Sequence, residues 1–304
     1  MQPMQQKFTE TIIKGEFPKL VYPEGTGLVL EGGGTRGFFS AGVFDAFLEQ
    51  GIMFPYIVGV SAGTANAMSY VSGQKGRNRQ IVEKYVGRHQ YVSFRNLFKH
   101  RSLFGYEYIF RTIPAKHIYW DREVFHGTDI RFLLGAFELN TAKTVWFEKH
   151  ELGDDLAPSI ASCSVPLVSR IVRIGEMDLL DGGIAEPIPI GKSVSDGNKF
   201  HFIVLTRNAG YRQAPIKNAF ISKWFYRKYP LLTETLQRRH EIYNEQIELA
   251  EQLEREGRAI IIRPQKPLAV GRSTSDTKAL LDLHDEGYAE GRKAIELFEN
   301  GNYM

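Results

Sequence analysis

The sequence predicts an α/β protein with three layers, in which helices cover both faces of a central, mostly parallel β-sheet. Apolar stretches at 27–30, 56–60 and 200–206 have the length and composition of buried strands. The first two stretches each lead into a helical pattern, at 38–48 and 62–71, so that strand, helix and strand alternate. Such a crossover joins parallel strands, so the carboxyl ends of 27–30 and 56–60 should share one edge of the sheet.

The rest of the chain adds further elements to this unit. Apolar runs and charged helical patterns predict strands at 132–139, 144–148, 171–180 and 259–262, and helices at 223–256 and about 275–299. A short turn at 140–143 should pair the first two of these strands. Residues 88–126 break the pattern with many aromatic and basic side chains, and we interpret them as an insertion or cap.

Composition limits the functions that the chain can have. Of 304 residues, 43% are hydrophobic and 24% are charged, which is typical of a globular protein. The formal net charge of +3 is too small to favour nucleic acid as a partner, and none is expected. Cys163 is the single cysteine, which excludes an internal disulfide. The histidines show no metal-ligand spacing, so neither a metal nor another cofactor is expected.

Membrane contact is expected to be peripheral at most. The first twenty residues lack the continuous apolar core of a secretory signal, and no apolar run approaches the roughly 18 residues of a membrane-spanning helix. We therefore expect a cytoplasmic protein. Aromatic and cationic residues alternate in 218–230 and in 88–126, and either segment is a candidate for contact with an anionic bilayer. The sequence does not indicate an oligomeric state.

Three short glycine-bearing motifs predict a serine acyl hydrolase. They are Gly32-Gly33-Gly34-Thr35-Arg36-Gly37, Gly59-Val60-Ser61-Ala62-Gly63 and Asp181-Gly182-Gly183. In the second motif, a tight turn from strand to helix would expose the Ser61 hydroxyl, and Gly59 and Gly63 would leave room for close packing. We expect the amides after Gly32 to form an oxyanion hole. Asp181 ends a predicted strand and is the candidate general base.

The roles of the other residues in the first motif are less defined. Arg36 either adds charge to the loop or forms an ion pair on the first turn of the helix, and Thr35 has no assigned role. The motif also matches Gly-x-Gly-x-x-Gly of dinucleotide-binding folds, which require an acidic residue at the end of the second strand. That strand instead runs into Ser61, so the cofactor hypothesis loses its main support.

The three motifs, intact and in this order, resemble those of the patatin-like acyl hydrolases: Gly-Gly-Gly-x-Arg-Gly, Gly-x-Ser-x-Gly, and Asp-Gly-Gly or Asp-Gly-Ala. Residues 161–166 are also similar to the family's Ala-Ser-x-Ala-x-Pro block, with Ser164 in place of the usual alanine. The resemblance covers roughly 27–190. It implies a patatin-like fold, a dyad of Ser61 as nucleophile and Asp181 as base, lipid or other acyl ester substrates, and no metal.

The resemblance also suggests a division of the chain. Residues 1–24 would form an N-terminal segment, and 25–207 a patatin-like catalytic core that includes the cap at 88–126. Residues 208–304 would form a helical part packed on the same domain, and their sequence indicates no function.

Two alternatives to the dyad stay open. His201, His240 and His284 follow Asp181 in the chain order of the α/β-hydrolases, so an esterase with a Ser/Asp/His triad is one alternative. Against it, only one helix separates Gly34 from Ser61, whereas in that fold the serine lies well downstream of the oxyanion loop. The other alternative is a non-catalytic lipid-binding protein, in which the serine and the carboxylate do not meet.

Overall fold

The computed structural model describes residues 25–215 and 219–301. Within them, one eight-stranded sheet forms the centre of the molecule. Its strands are β1 (Thr26–Leu30), β2 (Tyr56–Val60), β3 (Arg131–Glu138), β4 (Lys143–Glu148), β5 (Val172–Ile174), β6 (Met177–Asp181), β7 (Phe200–Val204) and β8 (Ala259–Ile262). The helices are α1 (Phe38–Glu49), α2 (Ala62–Val71), α3 (Arg77–Ile81), α4 (Phe94–His100), α5 (Ile113–Lys116), α6 (Arg122–Gly127), α7 (Ala157–Ser162), α8 (Ile190–Ser195), α9 (Ala219–Phe225), α10 (Pro230–Arg255) and α11 (Thr277–Asn300).

Helices cover both faces of the sheet because the buried strands are apolar on both faces. Successive side chains of a strand point to opposite sides. Leu28 and Leu30 of β1 therefore lie in the hydrophobic cluster formed with α1 and α11, whereas Val29 lies in the cluster that contains Tyr243 and Ile247 of α10. The predicted three-layer α/β/α architecture is confirmed.

The sheet is mostly parallel in its central part. β1 pairs in parallel with β2 and β7, β2 pairs with β3, and β7 pairs with β8. The remaining pairs are antiparallel: β4 and β6 each pair with β3, and β5 pairs with β6. The predicted pairing of two strands across the turn at 140–143 is confirmed by β3 and β4.

β2 and β6 meet end to end along one edge of β3. β4 pairs with residues 133–138 of β3, so it occupies one edge over almost the whole strand. β2 pairs with residues 131–135 and β6 with residues 136–138, and both must use the other edge. β2 runs parallel to β3 and β6 antiparallel to it, so the two strands run toward each other and end at adjacent positions.

Two predicted elements are wrong in detail. The single strand predicted at 171–180 is a hairpin, because the chain reverses at Gly175, whose φ of +57° suits glycine. The helix predicted over 223–256 is interrupted between α9 and α10. Pro230 begins α10, where its missing N–H removes no helical hydrogen bond, and a proline is not tolerated further inside a helix.

The C-terminal part of the chain packs directly on the rest. β8 extends the sheet beside β7, and α11 crosses α1 with its backbone close to that of α1. A Cβ at Gly42 would overlap the carbonyl oxygen of His284, and one at Gly287 would overlap that of Phe39. Glycine at both positions therefore permits the crossing. The segment 1–24 lies outside the described residues, and the boundary at 207 stays a prediction.

Candidate functional site

Ser61 lies at a sharp turn between β2 and α2. Its backbone has φ 55° and ψ −132°, a conformation that is strained for any residue with a side chain. The flanking glycines allow the turn to pack against the end of β1. A Cβ at Gly63 would lie 2.8 Å from the carbonyl oxygen of Glu31, and one at Gly59 would lie 2.8 Å from Cβ of Leu30.

Asp181 ends β6 and is hydrogen-bonded to Ser61. The Ser61 hydroxyl donates to Oδ2 of Asp181 over 2.8 Å, and the Gly183 amide donates to Oδ1 over 2.7 Å. The Asp181 amide donates to the carbonyl oxygen of Ser164 over 2.8 Å. Both carboxylate oxygens and the backbone of Asp181 are therefore held in place.

Asp181 reaches Ser61 from the end of an antiparallel strand, a direction that the sequence did not predict. The strand β6 ends opposite Ala136, next to Gly135, which pairs with Val60 of β2. The carboxylate thus reaches the hydroxyl from the opposite direction, through the end-to-end arrangement of β2 and β6.

The surroundings of Asp181 raise its pKa above the ordinary value. Burial is the largest cause, because it disfavours the charged form. Hydrogen bonds from Ser61 and from the Gly183 amide act in the opposite direction, as do the positive charges of Arg239 and Arg272. The carboxyl group is consequently a stronger base than an exposed aspartate.

The glycine loop at 32–37 lies beside Ser61, but only part of it offers free amides. A Cβ at Gly32 would lie 3.1 Å from Cβ of Ser61. The amides of Gly32, Thr35 and Arg36 already donate, to Pro187, Arg272 and Gly33 respectively. Over residues 25–215 and 219–301, the amides of Gly33 and Gly34 have no acceptor. Of the loop amides that we expected to form an oxyanion hole, those of Gly33 and Gly34 are therefore free to donate.

Gly34, Thr35 and Arg36 attach the loop to its surroundings. Gly34 has a φ of +60°, and a Cβ there would overlap the carbonyl oxygen of Arg272, so this position requires glycine. The Thr35 hydroxyl donates to the carbonyl oxygen of Gly271 over 3.2 Å. Arg36 is buried, and burial lowers its pKa to about 10. In the part of the chain that the structure describes, Arg36 forms no ion pair within 4.0 Å.

Ser162 contacts the turn at Ser61, and this contact was not identified from the sequence. Its Oγ accepts a hydrogen bond from the Ser61 amide over 2.8 Å and donates to the carbonyl oxygen of Gly135 over 2.7 Å. It therefore connects the strained turn to β3, where β2 and β6 end. Ser162 is the serine of the Ala-Ser-x-Ala-x-Pro block at 161–166, but the sequence did not indicate what this serine does.

Two arginines from the C-terminal part also reach the site. Arg239 of α10 donates through Nε to the carbonyl oxygen of Gly183 over 2.7 Å and through Nη1 to Oε1 of Gln213 over 2.6 Å. Arg272 lies in the loop between β8 and α11. Both side chains line the same cavity as Ser61 and Asp181. No sequence motif marked either arginine.

This cavity has a volume of about 390 Å³ and two walls of different character. One wall is apolar and is formed by residues 103–104 and 165–168, which are joined by a 2.7 Å hydrogen bond from the Leu103 amide to the Val168 carbonyl oxygen. The other wall contains Gln213, Arg239 and Arg272. A smaller cavity of about 60 Å³ lies on another side of Ser61, among the buried aromatic side chains of the cap.

The histidines of the alternative triad lie elsewhere. His201 is in β7, with Nδ1 3.0 Å from the Ser193 hydroxyl, and burial lowers its pKa to about 4. His284 places Nε2 3.0 Å from Oδ2 of Asp45, and His240 places Nδ1 3.0 Å from the carbonyl oxygen of Gln237. Among the described residues, no histidine is hydrogen-bonded to Ser61 or Asp181.

Residues 25–215 and 219–301 contain no group of three or more His, Cys, Asp or Glu side chains suited to hold a metal ion. No helix among them is both long and apolar enough to cross a bilayer.

The fold and the motifs define an α/β protein with a serine between two glycines at the end of a parallel strand. This chain belongs to the patatin-like phospholipase family, whose model matches residues 28–192. Family membership supports lipid acyl hydrolysis at the level of the family. A second model, described as a domain of unknown function (DUF6363), matches residues 229–301.

Individual relatives are distant. The chain is 24% identical over 205 residues to the uncharacterized protein YjjU of Escherichia coli (strain K12). This alignment covers 66% of this chain and 55% of YjjU. The chain is 28% identical over 188 residues to the lysophospholipase NTE1 of Scheffersomyces stipitis. This alignment covers 60% of this chain and 12% of that protein. The chain thus spans about half or less of these relatives. The crystal structure of VipD from Legionella pneumophila aligns with a TM-score of 0.46 and 11% identity, over 90% of this chain and 67% of VipD.

Proposed function

We propose that this chain hydrolyses carboxylic esters of lipids through an acyl-enzyme on Ser61, with Asp181 as the general base. The observation that carries this proposal is the 2.8 Å hydrogen bond from the Ser61 hydroxyl to Asp181. The free amides of Gly33 and Gly34 beside it support the proposal, as does membership of a phospholipase family.

The reaction follows from these positions. Ser61 Oγ attacks the ester carbonyl carbon while Asp181 takes the hydroxyl proton. The carbonyl oxygen becomes negative and accepts hydrogen bonds from Gly33 and Gly34, and removal of one such donor typically slows a reaction about 10²–10³-fold. When the intermediate collapses, the leaving alkoxide takes the proton from Asp181. A water then attacks the acyl-serine and gives its proton to Asp181. As this second intermediate collapses, Asp181 returns the proton to the leaving Ser61 Oγ, and the fatty acid is released.

The raised pKa of Asp181 suits this role. An aspartate of ordinary pKa is a weak base toward an alcohol, and a base works best with a pKa near the working pH. Burial moves Asp181 in that direction, while the hydrogen bond from the Gly183 amide fixes the orientation of the carboxylate. No histidine is then needed for proton transfer.

The apolar wall of the large cavity is the proposed site of the acyl chain. Phe104, Val165, Leu167 and Val168 line it. Burial of a methylene group contributes about 0.8 kcal/mol to binding, so several methylenes along this wall would give a lipid ester an advantage over a short ester.

Exposed apolar side chains on α4, α9 and the segment after α7 favour contact with a lipid surface. Phe98 of α4 is 88% exposed, Trp224 of α9 is 72% exposed, and Leu167, which lines the cavity, is 45% exposed. The Leu167 amide donates to the Tyr226 hydroxyl over 2.8 Å, so the cavity wall is joined to the chain just after α9. We assign this surface to a peripheral membrane contact; residue 218 of the candidate segment 218–230 lies outside the described residues.

Flotation with vesicles of mixed neutral and anionic phospholipid would test the membrane contact. We expect the double variant Phe98→Ser, Trp224→Ser to float less than the wild type, because aromatic side chains anchor at the bilayer interface. Leu297→Ser is the matched control, since Leu297 of α11 is 56% exposed but lies outside both candidate segments, 88–126 and 218–230. Equal flotation of all three proteins would contradict the assignment.

The catalytic proposal is tested with a fluorophosphonate probe and a panel of acyl esters. Ser61→Ala should abolish both labelling and turnover, and Asp181→Asn should reduce turnover to a similar level, because both groups act in one proton transfer. His201→Gln and His240→Gln should keep full turnover. Full activity of Ser61→Ala would end the proposal, and a loss at either histidine as large as that at Asp181 would favour a triad.

A further inference from the structure

The catalytic cavity carries more positive than negative charge. Of the described residues that line it, Arg239 and Arg272 are cationic, and Asp181 is the acidic one. Over residues 25–215 and 219–301, neither arginine has a carboxylate within 4.0 Å of its guanidinium nitrogens. A guanidinium group enclosed in a protein is usually paired with an anion, so the half-buried Arg239, with Arg272 beside the same cavity and no carboxylate on either, indicates room for an anionic ligand.

Arg239 is oriented for such a ligand. Its Nε and Nη1 donate to Gly183 and Gln213, which fixes the plane of the guanidinium. Its Nη2 has no acceptor among the described residues. Burial, together with the positive charge of Arg272, lowers the pKa of Arg239 to about 10, and an anion between the two side chains would relieve both effects.

Arg272 is held at the site through its backbone. Its carbonyl oxygen accepts a hydrogen bond from the Thr35 amide over 2.9 Å, so the loop between β8 and α11 is tied to the glycine loop. The side chain of Arg272 is exposed and lines the cavity. It can therefore meet an anion that enters the cavity, without a change in the loop.

We propose that Arg239 and Arg272 form an anion-binding subsite for a phosphate group within the catalytic cavity, so that the enzyme prefers acyl esters that carry a phosphate near the scissile bond. Both arginines lie in the segment 229–301 that matches the domain of unknown function. The proposal gives that segment a role in substrate selection. It rests on the proposed esterase function and extends it, since the apolar wall would hold the acyl chain and the arginine wall the head group.

The subsite is tested with two esters of the same acyl chain, 1-oleoyl-lysophosphatidic acid and 1-oleoylglycerol. Their hydrolysis is compared in a neutral detergent. For the wild type, we expect kcat/KM to be higher for the phosphate ester. Arg239→Gln and Arg272→Gln should each lower the ratio of the two kcat/KM values about tenfold, the effect of losing about 1.4 kcal/mol from a charge-assisted hydrogen bond. Arg239→Lys should lower it less, because it keeps the charge.

Arg238→Gln is the matched control, because Arg238 is adjacent on α10 and forms an exposed ion pair with Glu241. It should leave the ratio unchanged. Arg272→Gln decides the test if Arg239→Gln does not fold, since the contact between Arg272 and Thr35 uses only the backbone. Unchanged ratios in Arg272→Gln and in a folded Arg239 variant would overturn the subsite.

Inorganic phosphate distinguishes the two sources of the anion. A head-group subsite is supported by two results together. Phosphate inhibits 1-oleoylglycerol hydrolysis competitively, and less in Arg272→Gln, and the wild type prefers the phosphate ester. Inhibition without that preference would assign the arginines to free phosphate and overturn the role in substrate selection. If the wild type shows neither turnover nor fluorophosphonate labelling, the esterase function is refuted. The anion site would then still be reported by a phosphate-induced rise in Tm that is lost in Arg272→Gln.

Discussion

Oγ of Ser61 and Oδ2 of Asp181 lie 2.8 Å apart although 120 positions separate the two residues in the chain. The contact depends on β3, because the strands that carry both residues end against adjacent positions of its edge. Gly182, directly after Asp181, touches this junction: a Cβ there would overlap the carbonyl oxygen of Gly135. The geometry of the site is therefore set by backbone packing as well as by the two side chains.

Gly182→Ala should separate the two strand ends. The added methyl group meets backbone, which cannot rotate away, so we expect a loss of at least tenfold in kcat/KM and about 2 kcal/mol in the free energy of unfolding. Turnover of p-nitrophenyl butyrate and the Tm measure both effects. Gly191→Ala in α8 is the control, since a Cβ there meets nothing within 4 Å and should be neutral or slightly stabilising. Wild-type turnover by Gly182→Ala would contradict this account of the junction.

Ser162→Ala should weaken the turn that presents Ser61. The substitution leaves the buried Ser61 amide and the Gly135 carbonyl oxygen without Oγ of Ser162 as a partner, and an unsatisfied buried donor typically costs about 1–3 kcal/mol. We expect a lower Tm and a lower kcat, with little change in KM for a short ester.

Ser164→Ala provides the comparison for Ser162→Ala. The Ser164 hydroxyl donates to the carbonyl oxygen of Ile160 in α7, and the contact of Ser164 with Asp181 uses the backbone oxygen, which alanine retains. Its kcat should stay near that of the wild type. A larger loss of kcat in Ser164→Ala than in Ser162→Ala would show that the Ser162 hydroxyl does not position the nucleophile.

The pairing of Ser61 with Asp181 was predictable from the sequence, but the route by which they meet was not. The three glycine motifs identified both residues, and the apolar runs gave the strands that precede them. The reversal at Gly175 was missed although Gly175 and Glu176 interrupt the apolar run at 171–180. The direction of β6 relative to β3 depends on pairing between distant parts of the chain, which a local pattern does not report.

The remaining parts of the site depend on tertiary packing. The sequence could not show which amides of the glycine loop are free, because the acceptors of the others belong to Pro187, Gly33 and Arg272. Arg239 lies on the same face of α10 as Leu236, three residues earlier, and both line the cavity. Helical periodicity identifies such a face, but it does not tell which surface the face meets.

Activity should fall in acid as Asp181 becomes protonated, and Arg239 should influence where this occurs. The base must be ionised, so kcat/KM falls as the pH drops through the pKa of Asp181 in the free enzyme. Burial raises that pKa and the positive charge of Arg239 lowers it. Removal of the charge in Arg239→Gln should raise the pKa further and move the acid limb to higher pH.

The pH profile of kcat/KM for a short neutral ester measures this shift. Arg239→Lys should keep the limb near its wild-type position, and Arg238→Gln should not move it, because Arg238 is exposed and paired with Glu241. A limb at lower pH in Arg239→Gln would show that the charge of Arg239 does not stabilise the ionised carboxylate.

Ser61→Gly should stabilise the protein relative to Ser61→Ala. Both variants lack the hydroxyl, but alanine keeps a Cβ at φ 55° and ψ −132°, a conformation that costs about 1–3 kcal/mol for a residue with a side chain. Glycine removes this strain, while its greater freedom in the unfolded chain offsets up to about 1 kcal/mol. We therefore expect the free energy of unfolding of Ser61→Gly to exceed that of Ser61→Ala by about 1 kcal/mol in urea denaturation. An equal or lower value would mean that the turn does not store strain at the position of the nucleophile.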